Sequence, residues 1–300
     1  MGVRSPPSTG RSGRNPLPGF SRAAARPEPA LSVADGTMAG MCGRYTLTME
    51  PESLYGTFDA EPDPDAGGAA GLYGGDPVRP RYNIAPTVTV PVVRVDPRVP
   101  PADARRQIEP MRWGLVPSWA KDRSVGNRMF NARAESLSTK AAFRTALARR
   151  RCLIPASGYY EWKKLPQESV PGSSGRTRKS VLKQPYFMTP ADGSVMAFAG
   201  LWEYWRSPDG DPLVSMTIIT SDAVGPMRDI HDRMPLILPA SEWDAWLDPQ
   251  VDPGPLLTPP SEELVAGLEL RPIGPRVGAV ANDDPELLQR VEPIGPAVLL

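Results

Sequence analysis

Residues 152–164 read CLIPASGYYEWKK. An apolar run of strand length is followed by a small-residue break and an aromatic alternation, a pattern that predicts β-structure. Alternation places Tyr159, Glu161 and Lys163 on one face and Tyr160 and Trp162 on the other. Glu161 then sits among aromatic rings. A cleft-facing Glu161 would hold its proton more tightly than a solvated carboxyl and suit proton transfer. A plain exposed glutamate on an edge strand is the alternative, and the motif alone favours that one.

Working outward, residues 184–205 (QPYFMTPADGSVMAFAGLWEYW) and 214–223 (VSMTIITSDA) read as further strands. Asp192-Gly193 marks a hairpin turn between the first two. On the N-terminal side, residues 44–48 (RYTLT) and 87–96 (TVTVPVVRVD) read as strands, the second with Pro91 hinting at an edge. Residues 49–58 predict a short helix with Pro51 in its first turn and Leu54 and Phe58 on one face. Residues 138–150 predict another, capped by Ser138 and burying Phe143 and Leu147. A third covers residues 239–248. Residues 61–77 and 165–180 are polar, Gly/Pro/Ser-rich loop sequence. Many strands with few helices predict an α+β domain round a curved antiparallel sheet.

Composition bounds the function. The 38 prolines and 27 glycines make up about a fifth of the chain, which argues against a helical bundle. Two cysteines are too few for a disulfide framework or a zinc site, so a reducing cytoplasm is expected. No apolar run is long enough to span a membrane. Formal net charge is zero but segregated. Residues 111–151 hold ten Lys/Arg against two acids, a net of 10 − 2 = +8. Residues 241–300 hold three arginines against eleven acids, a net of 3 − 11 = −8. The basic segment either presents a face to phosphates or packs against the acidic one. Residues 1–40 contain six prolines, five arginines and two acids with no apolar period, which predicts disorder.

The candidate chemical residues are few. His231, in IHDRMP, is the only histidine, and a lone histidine is as readily structural as catalytic. NARAES places Asn131, Arg133 and Glu135 at alternate positions, which on a strand would share a face. Trp113 and Trp119 lie in the basic segment, where an exposed ring would suit stacking on bases. Cys152 begins an apolar run and reads as an inert buried thiol. No metal cluster is evident and no cofactor is called for.

In order along the chain, MCGRYTL, RYNIAPT, RWGLVPSWA, NARAES, CLIPASGYYEWKK, QPYF, FAGLWE, TIITSDA and IHDRMPLIL resemble the SOS-response-associated peptidase (SRAP) family of abasic-site processing proteins. The likeness runs from Cys42 to about Leu238 and continues more weakly to VGAVAND at residues 277–283. It implies a single domain over residues 41–300 with a barrel-like core of curved antiparallel sheets and flanking short helices. It also implies a monomer that binds single-stranded DNA and links covalently to abasic sites, with lyase and self-processing peptidase activities. By the same resemblance Cys42 is the nucleophile, Glu161 the proton-transfer acid, His231 the active-site histidine and Asn131 the orienting amide. Arg44, Arg133, Trp119 and Asn83 are the DNA contacts. A second aromatic residue sometimes follows the one at Trp119; here Ala120 stands instead.

The chemistry requires a free amine on Cys42, because amine and thiol on adjacent carbons close a thiazolidine on an aldehyde. With residues 1–40 attached the nitrogen is an amide. Translation from Met41, removal of the extension, or an inactive extended form are the readings this leaves. A cysteine peptidase acting on other proteins and a non-catalytic single-strand binding module are the competing functions.

Overall fold

The computed structural model describes residues 42–62, 79–96, 99, 103–165 and 182–294. The expected disordered extension and almost all of the two expected polar loops lie outside the described residues. Elements in chain order are β1 (Tyr45–Leu47), α1 (Pro51–Phe58), β2 (Ala60–Pro62), β3 (Arg81–Ile84), β4 (Thr89–Val95) and β5 (Arg106–Trp113). There follow β6 (Asn131–Arg133), α2 (Ala141–Arg149), β7 (Arg151–Ala156), β8 (Gly158–Lys164), β9 (Lys183–Pro190) and β10 (Met196–Arg206). The rest are β11 (Pro212–Asp222), β12 (Arg233–Pro235), α3 (Trp243–Leu247), α4 (Glu262–Ala266) and β13 (Leu268–Pro272).

The strands form two sheets. One runs β13-β9-β8-β1-β3. In the other, β10 joins β11 to β7, β7 joins β4, β4 joins β5, and β5 returns to β11 through Ser215↔Arg112 and Met216↔Trp113. That last pairing closes a five-stranded barrel. This is the α+β architecture with a barrel-like core that the sequence leads one to expect.

The stretch 152–164 is two strands in two different sheets. β7 belongs to the barrel and β8 to the open sheet. The chain changes sheet at Ser157, whose N–H donates to the Thr46 carbonyl at 2.8 Å and whose hydroxyl accepts from the Thr48 N–H at 2.9 Å. Backbone groups at the break are thus satisfied by β1 and the residue that follows it. Gly158 comes next, and a Cβ there would lie 2.2 Å from two ring carbons of Phe187.

Three local expectations change. A turn does form at Asp192-Gly193, over residues 190–193, closed by the Gly193 N–H on the Pro190 carbonyl at 3.1 Å with Gly193 at φ 75°. It makes no hairpin, because β9 pairs with β8 and β13 while β10 pairs with β7 and β11. A turn motif specifies chain reversal and not which strands then pair. Pro91 is not on an edge, since β4 has β5 on one side and β7 on the other. The pairing with β7 covers only Val93 and Arg94, so the missing N–H of Pro91 costs no bond there. Ser138 does not cap α2. Residues 136–140 form a preceding turn in which the Lys140 N–H bonds the Ser136 carbonyl, and the helix starts at Ala141.

The two sheets share a core. The Tyr45 ring meets Trp113 edge-on at 5.3 Å and Phe198 at 6.1 Å, and Tyr159 meets Phe198 at 6.0 Å. Such edge-to-face pairs contribute about 0.5–1.5 kcal/mol each beyond their area. They lock β1 and β8 against the barrel. The opposite face of β8 is also covered, because Tyr160 packs with Phe187, Ile273, Val277 and Leu287. The helices α2 and α3 cover the outside of the barrel, and the Trp246 ring N–H donates to the Cys152 carbonyl at 2.9 Å.

Gly158→Ala should destabilise the fold by about 1–3 kcal/mol, the usual cost of overpacking. Urea denaturation checks this, and a loss below about 0.5 kcal/mol would mean that Phe187 moves aside freely.

Candidate active site

Four elements converge ahead of β1. Cys42 precedes that strand and is only 3% exposed. β8 supplies Glu161, also buried. β6 begins with Asn131, paired in parallel with Ile218 of β11. His231 lies between the 3-10 turn Gly225–Asp229 and β12.

Glu161 grips Cys42 at two atoms. Its carboxyl meets both the thiol and the backbone N–H of Cys42, and it also accepts from the Trp162 N–H. Its Oε1 is buried with no hydrogen-bond partner. Burial raises the Glu161 pKa above 4.5; the electrostatic influence of His231 and the Cys42 and Trp162 contacts oppose this without cancelling it. The exposed edge-strand reading that the motif alone favoured is overturned, because β8 lies between β9 and β1 and Glu161 is buried. Burial, followed by the charge of Glu161, pushes the Cys42 thiol well above its ordinary value. Cys42 is thus a protonated thiol here.

The Asn131 amide donates to the Cys42 carbonyl at 3.0 Å, and its own Oδ1 is buried without a partner. Two unpartnered acceptors, Asn131 Oδ1 and Glu161 Oε1, therefore belong to side chains that touch Cys42. Buried acceptors left unmade cost about 1–3 kcal/mol each.

His231 Nδ1 accepts from the Arg233 N–H at 3.0 Å, while Asp232 Oδ1 lies 2.9 Å from the same nitrogen. Nδ1 cannot accept from one and donate to the other at once. The backbone N–H always carries its proton, so it decides, and the imidazole proton is assigned to Nε2.

The four expected DNA contacts divide. Trp119 is 65% exposed, far more than any other described tryptophan, and Lys121, Arg128 and Arg133 are exposed along the same basic segment. Trp113 is in the core. Asn83 is turned inward, 2% exposed, with its amide donating to the carbonyls of Val277, Ala279 and Asn282. It has no donor left for a phosphate. Arg44 is half-buried and donates to Asn83 Oδ1 at 2.9 Å, the Val277 carbonyl at 2.8 Å and the Gly278 carbonyl at 3.2 Å. In NARAES, Asn131 and Arg133 are on β6, but Glu135 falls on a 3-10 turn, so strand alternation does not extend to it.

Sequence reasoning passed over Arg233 and Tyr159. Arg233 is buried and bonds Asp222 at 2.5 Å, Glu135 at 2.9 Å and the Thr220 carbonyl at 2.7 Å. Its charge works to lower the Cys42 thiol pKa. A charged residue immediately before the apolar run MPLIL was the available signal. Tyr159 is buried on the same strand face as Glu161, and its hydroxyl reaches only the Met227 sulfur, at 3.7 Å. Among the described residues no cluster of metal-ligating side chains occurs, and no helix is long and apolar enough to cross a membrane.

A family model for the SOS response associated peptidase (SRAP) matches residues 41–280. The chain belongs to that family. It is 35% identical over 250 residues to the abasic site processing protein YoqW of Bacillus subtilis (strain 168), covering 83% of this chain and 99% of that protein. It is 30% identical over 243 residues to the abasic site processing protein HMCES of Mus musculus, covering 70% of this chain and 64% of that one. A crystal structure of a protein from Bacteroides thetaiotaomicron superposes with a TM-score of 0.66 at 22% identity, covering 84% of this chain and all of the other. At that identity the likeness is one of fold.

The surroundings of Glu161 have a testable consequence for stability. Its pKa is raised from 4.5 on folding, so the folded state binds its proton more tightly than the unfolded state does. The resulting stabilisation is full below the unfolded value and is lost as pH rises through the folded one. Glu161→Gln, neutral at every pH, should therefore be more stable than the parent at pH 7, by about 1 kcal/mol. The difference should shrink as the pH is lowered. Thermal melts from pH 4 to 8 check this, and a variant less stable at pH 7 than at pH 4 relative to the parent contradicts it.

Proposed function

We propose that this protein acts in the DNA damage response by capturing abasic sites in single-stranded DNA through a thiazolidine on Cys42. The observation that carries this reading is the double contact of Glu161 with the nitrogen and the sulfur of one residue. Those are the two atoms that must act in sequence on an aldehyde. The names of the relatives point to the same substrate.

In the chain as written the Cys42 nitrogen is an amide. The family match begins at Met41, which supports Cys42 as the first residue of the working protein, exposed by methionine removal or by cleavage of the extension. A free α-amine has a pKa near 8, so roughly a tenth is neutral at pH 7. The amine nitrogen attacks the aldehyde carbon of the ring-opened abasic sugar. Glu161 relays a proton from nitrogen to the departing hydroxyl, and water leaves to give the imine. The Cys42 sulfur then adds to the imine carbon while its proton passes to nitrogen, closing the five-membered ring. One water is released overall. Asn131 holds the Cys42 carbonyl and so fixes the amine and thiol relative to Glu161, the condition for a high effective molarity. A branch from the imine gives lyase activity: water takes the proton from C2′, the C3′–O bond breaks, and the departing 3′ phosphate accepts a hydrogen bond from His231 Nε2–H, cutting the strand. Trp119, Arg133 and the neighbouring basic residues supply stacking and phosphate contacts, with the protein acting as a monomer.

A thiol peptidase acting on other proteins would need a Cys42 thiolate near neutral pH, hence a lowered pKa. Burial pushes that thiol the other way. A purely passive binding module gives no reason for a buried carboxyl set against Cys42.

Protein with a free Cys42 amine should form a denaturant-stable adduct with abasic single-stranded DNA. Cys42→Ala should abolish it, and Glu161→Gln should slow it about 100-fold. Gel analysis of the cross-link checks both, and an adduct at full yield from Cys42→Ala rules the mechanism out. Trp119→Ala should weaken binding of undamaged single strands by about 1–3 kcal/mol. Fluorescence anisotropy measures this, and unchanged affinity removes Trp119 from the DNA face.

A further inference from the structure

A chain terminus frays unless something ties it down. If Cys42 is the first residue, no upstream chain restrains it. Its position then depends on Glu161, on Asn131 and on whatever holds the two residues before β1. Arg44 is one of those two. Its carbonyl accepts from the Tyr160 N–H at 3.0 Å, and its guanidinium enters a turn formed by residues 277–282.

That turn is built to hold it. The carbonyls of Val277 and Gly278 accept from Arg44, and those of Val277, Ala279 and Asn282 accept from the Asn83 amide. Asn83 Oδ1 accepts from Arg44 in turn, at 2.9 Å. The carbonyls turned inward are thus taken by these two side chains. Asp283 then fastens the turn to β3. Its Oδ1 accepts from the consecutive N–H groups of Tyr82, at 2.5 Å, and Asn83, at 2.9 Å. Its Oδ2 accepts from Arg79 and Arg81, each at 2.8 Å. The carboxylate takes the place of a further strand at the free edge of β3. Val277, at the start of the turn, is fully buried with Tyr160 and Phe187.

We propose that Asp283 and the 277–282 turn are a positioning latch for the nucleophile, acting through Arg44 to hold Cys42 against Glu161. The inference rests on the covalent reading given above. The latch lies beyond strong sequence likeness, and Asp283 lies past the residues matched by the family model. None of its bonds is a DNA contact. Loosening it should slow the chemistry and leave DNA binding alone.

The experiment uses protein with a free Cys42 amine and compares the parent with Asp283→Ala and Arg44→Lys. Arg44→Lys keeps the charge but loses the planar fork that reaches two carbonyls and Asn83. Near-UV circular dichroism establishes that each variant is folded. Single-turnover cross-linking at saturating abasic DNA should fall about tenfold or more in both, as expected for a misplaced reacting group. Affinity for undamaged single strands should stay within about twofold, with the slope of log K against log salt unchanged. Cross-linking within about twofold of the parent in either folded variant overturns the proposal; a lost phosphate contact would instead lower the salt slope by about 0.7 and weaken binding in step, which overturns it too. If Asp283→Ala does not fold, Arg44→Lys decides alone. A parent that forms no adduct defeats the covalent reading itself, which is a separate result.

Discussion

The contact between the Glu161 carboxyl and both the nitrogen and the sulfur of Cys42 is the constraint around which the structure is arranged. A carboxyl in water would be charged and mobile. This one is buried, raised in pKa and missing a partner for one oxygen. The strand that carries it has apolar cover on both faces. The barrel supplies one side through Tyr159, Phe198 and Tyr45, and the C-terminal segment supplies the other through Tyr160, Phe187 and Val277. Glu161 shares the barrel-facing side with Tyr159, and the second cluster backs the strand from behind, so β8 is held by residues from both ends of the chain.

Cys42 is held by side chains distant in sequence. Asn131 reaches its carbonyl across 89 residues, and Arg44 is bonded across 233 residues to Val277. The strand that follows Cys42, β1, is only three residues long, too short for pairing alone to fix its start. Hydrogen bonds to side chains do what a longer strand would have done. The outer surface has the opposite character. Trp119 stands clear of the fold with exposed lysine and arginine around it, and no core packing accounts for it.

Much of this was legible in the sequence because it depends on local physics. Strand content, the helix at Pro51, the buried face of Phe143 and Leu147, and the burial of Cys152 follow from alternation, helical period and residue type. The candidate set of Cys42, Asn131, Glu161 and His231 was legible only through motif likeness, since each residue alone had a plain structural reading. What was misread involves partners. Asp192-Gly193 announced a reversal but could not say that the flanking strands go to different sheets. Ser138 looked like a cap because nothing local revealed the turn already occupying the residues around it. Asn83 and Arg44 looked like residues for DNA because their protein partners lie some 200 residues away.

The sequence by itself determined the elements, the family and the kinds of chemistry present, because side-chain periodicity and residue identity act over a few positions. The tertiary structure alone decided that residues 152–164 divide between a closed barrel and an open sheet, that Glu161 is buried, and that a C-terminal turn holds the residue two places after Cys42. Those outcomes depend on close contacts between segments far apart in the chain. Desolvation and hydrogen-bond partnership, which set the chemistry of the carboxyl and the thiol, exist only after those segments meet.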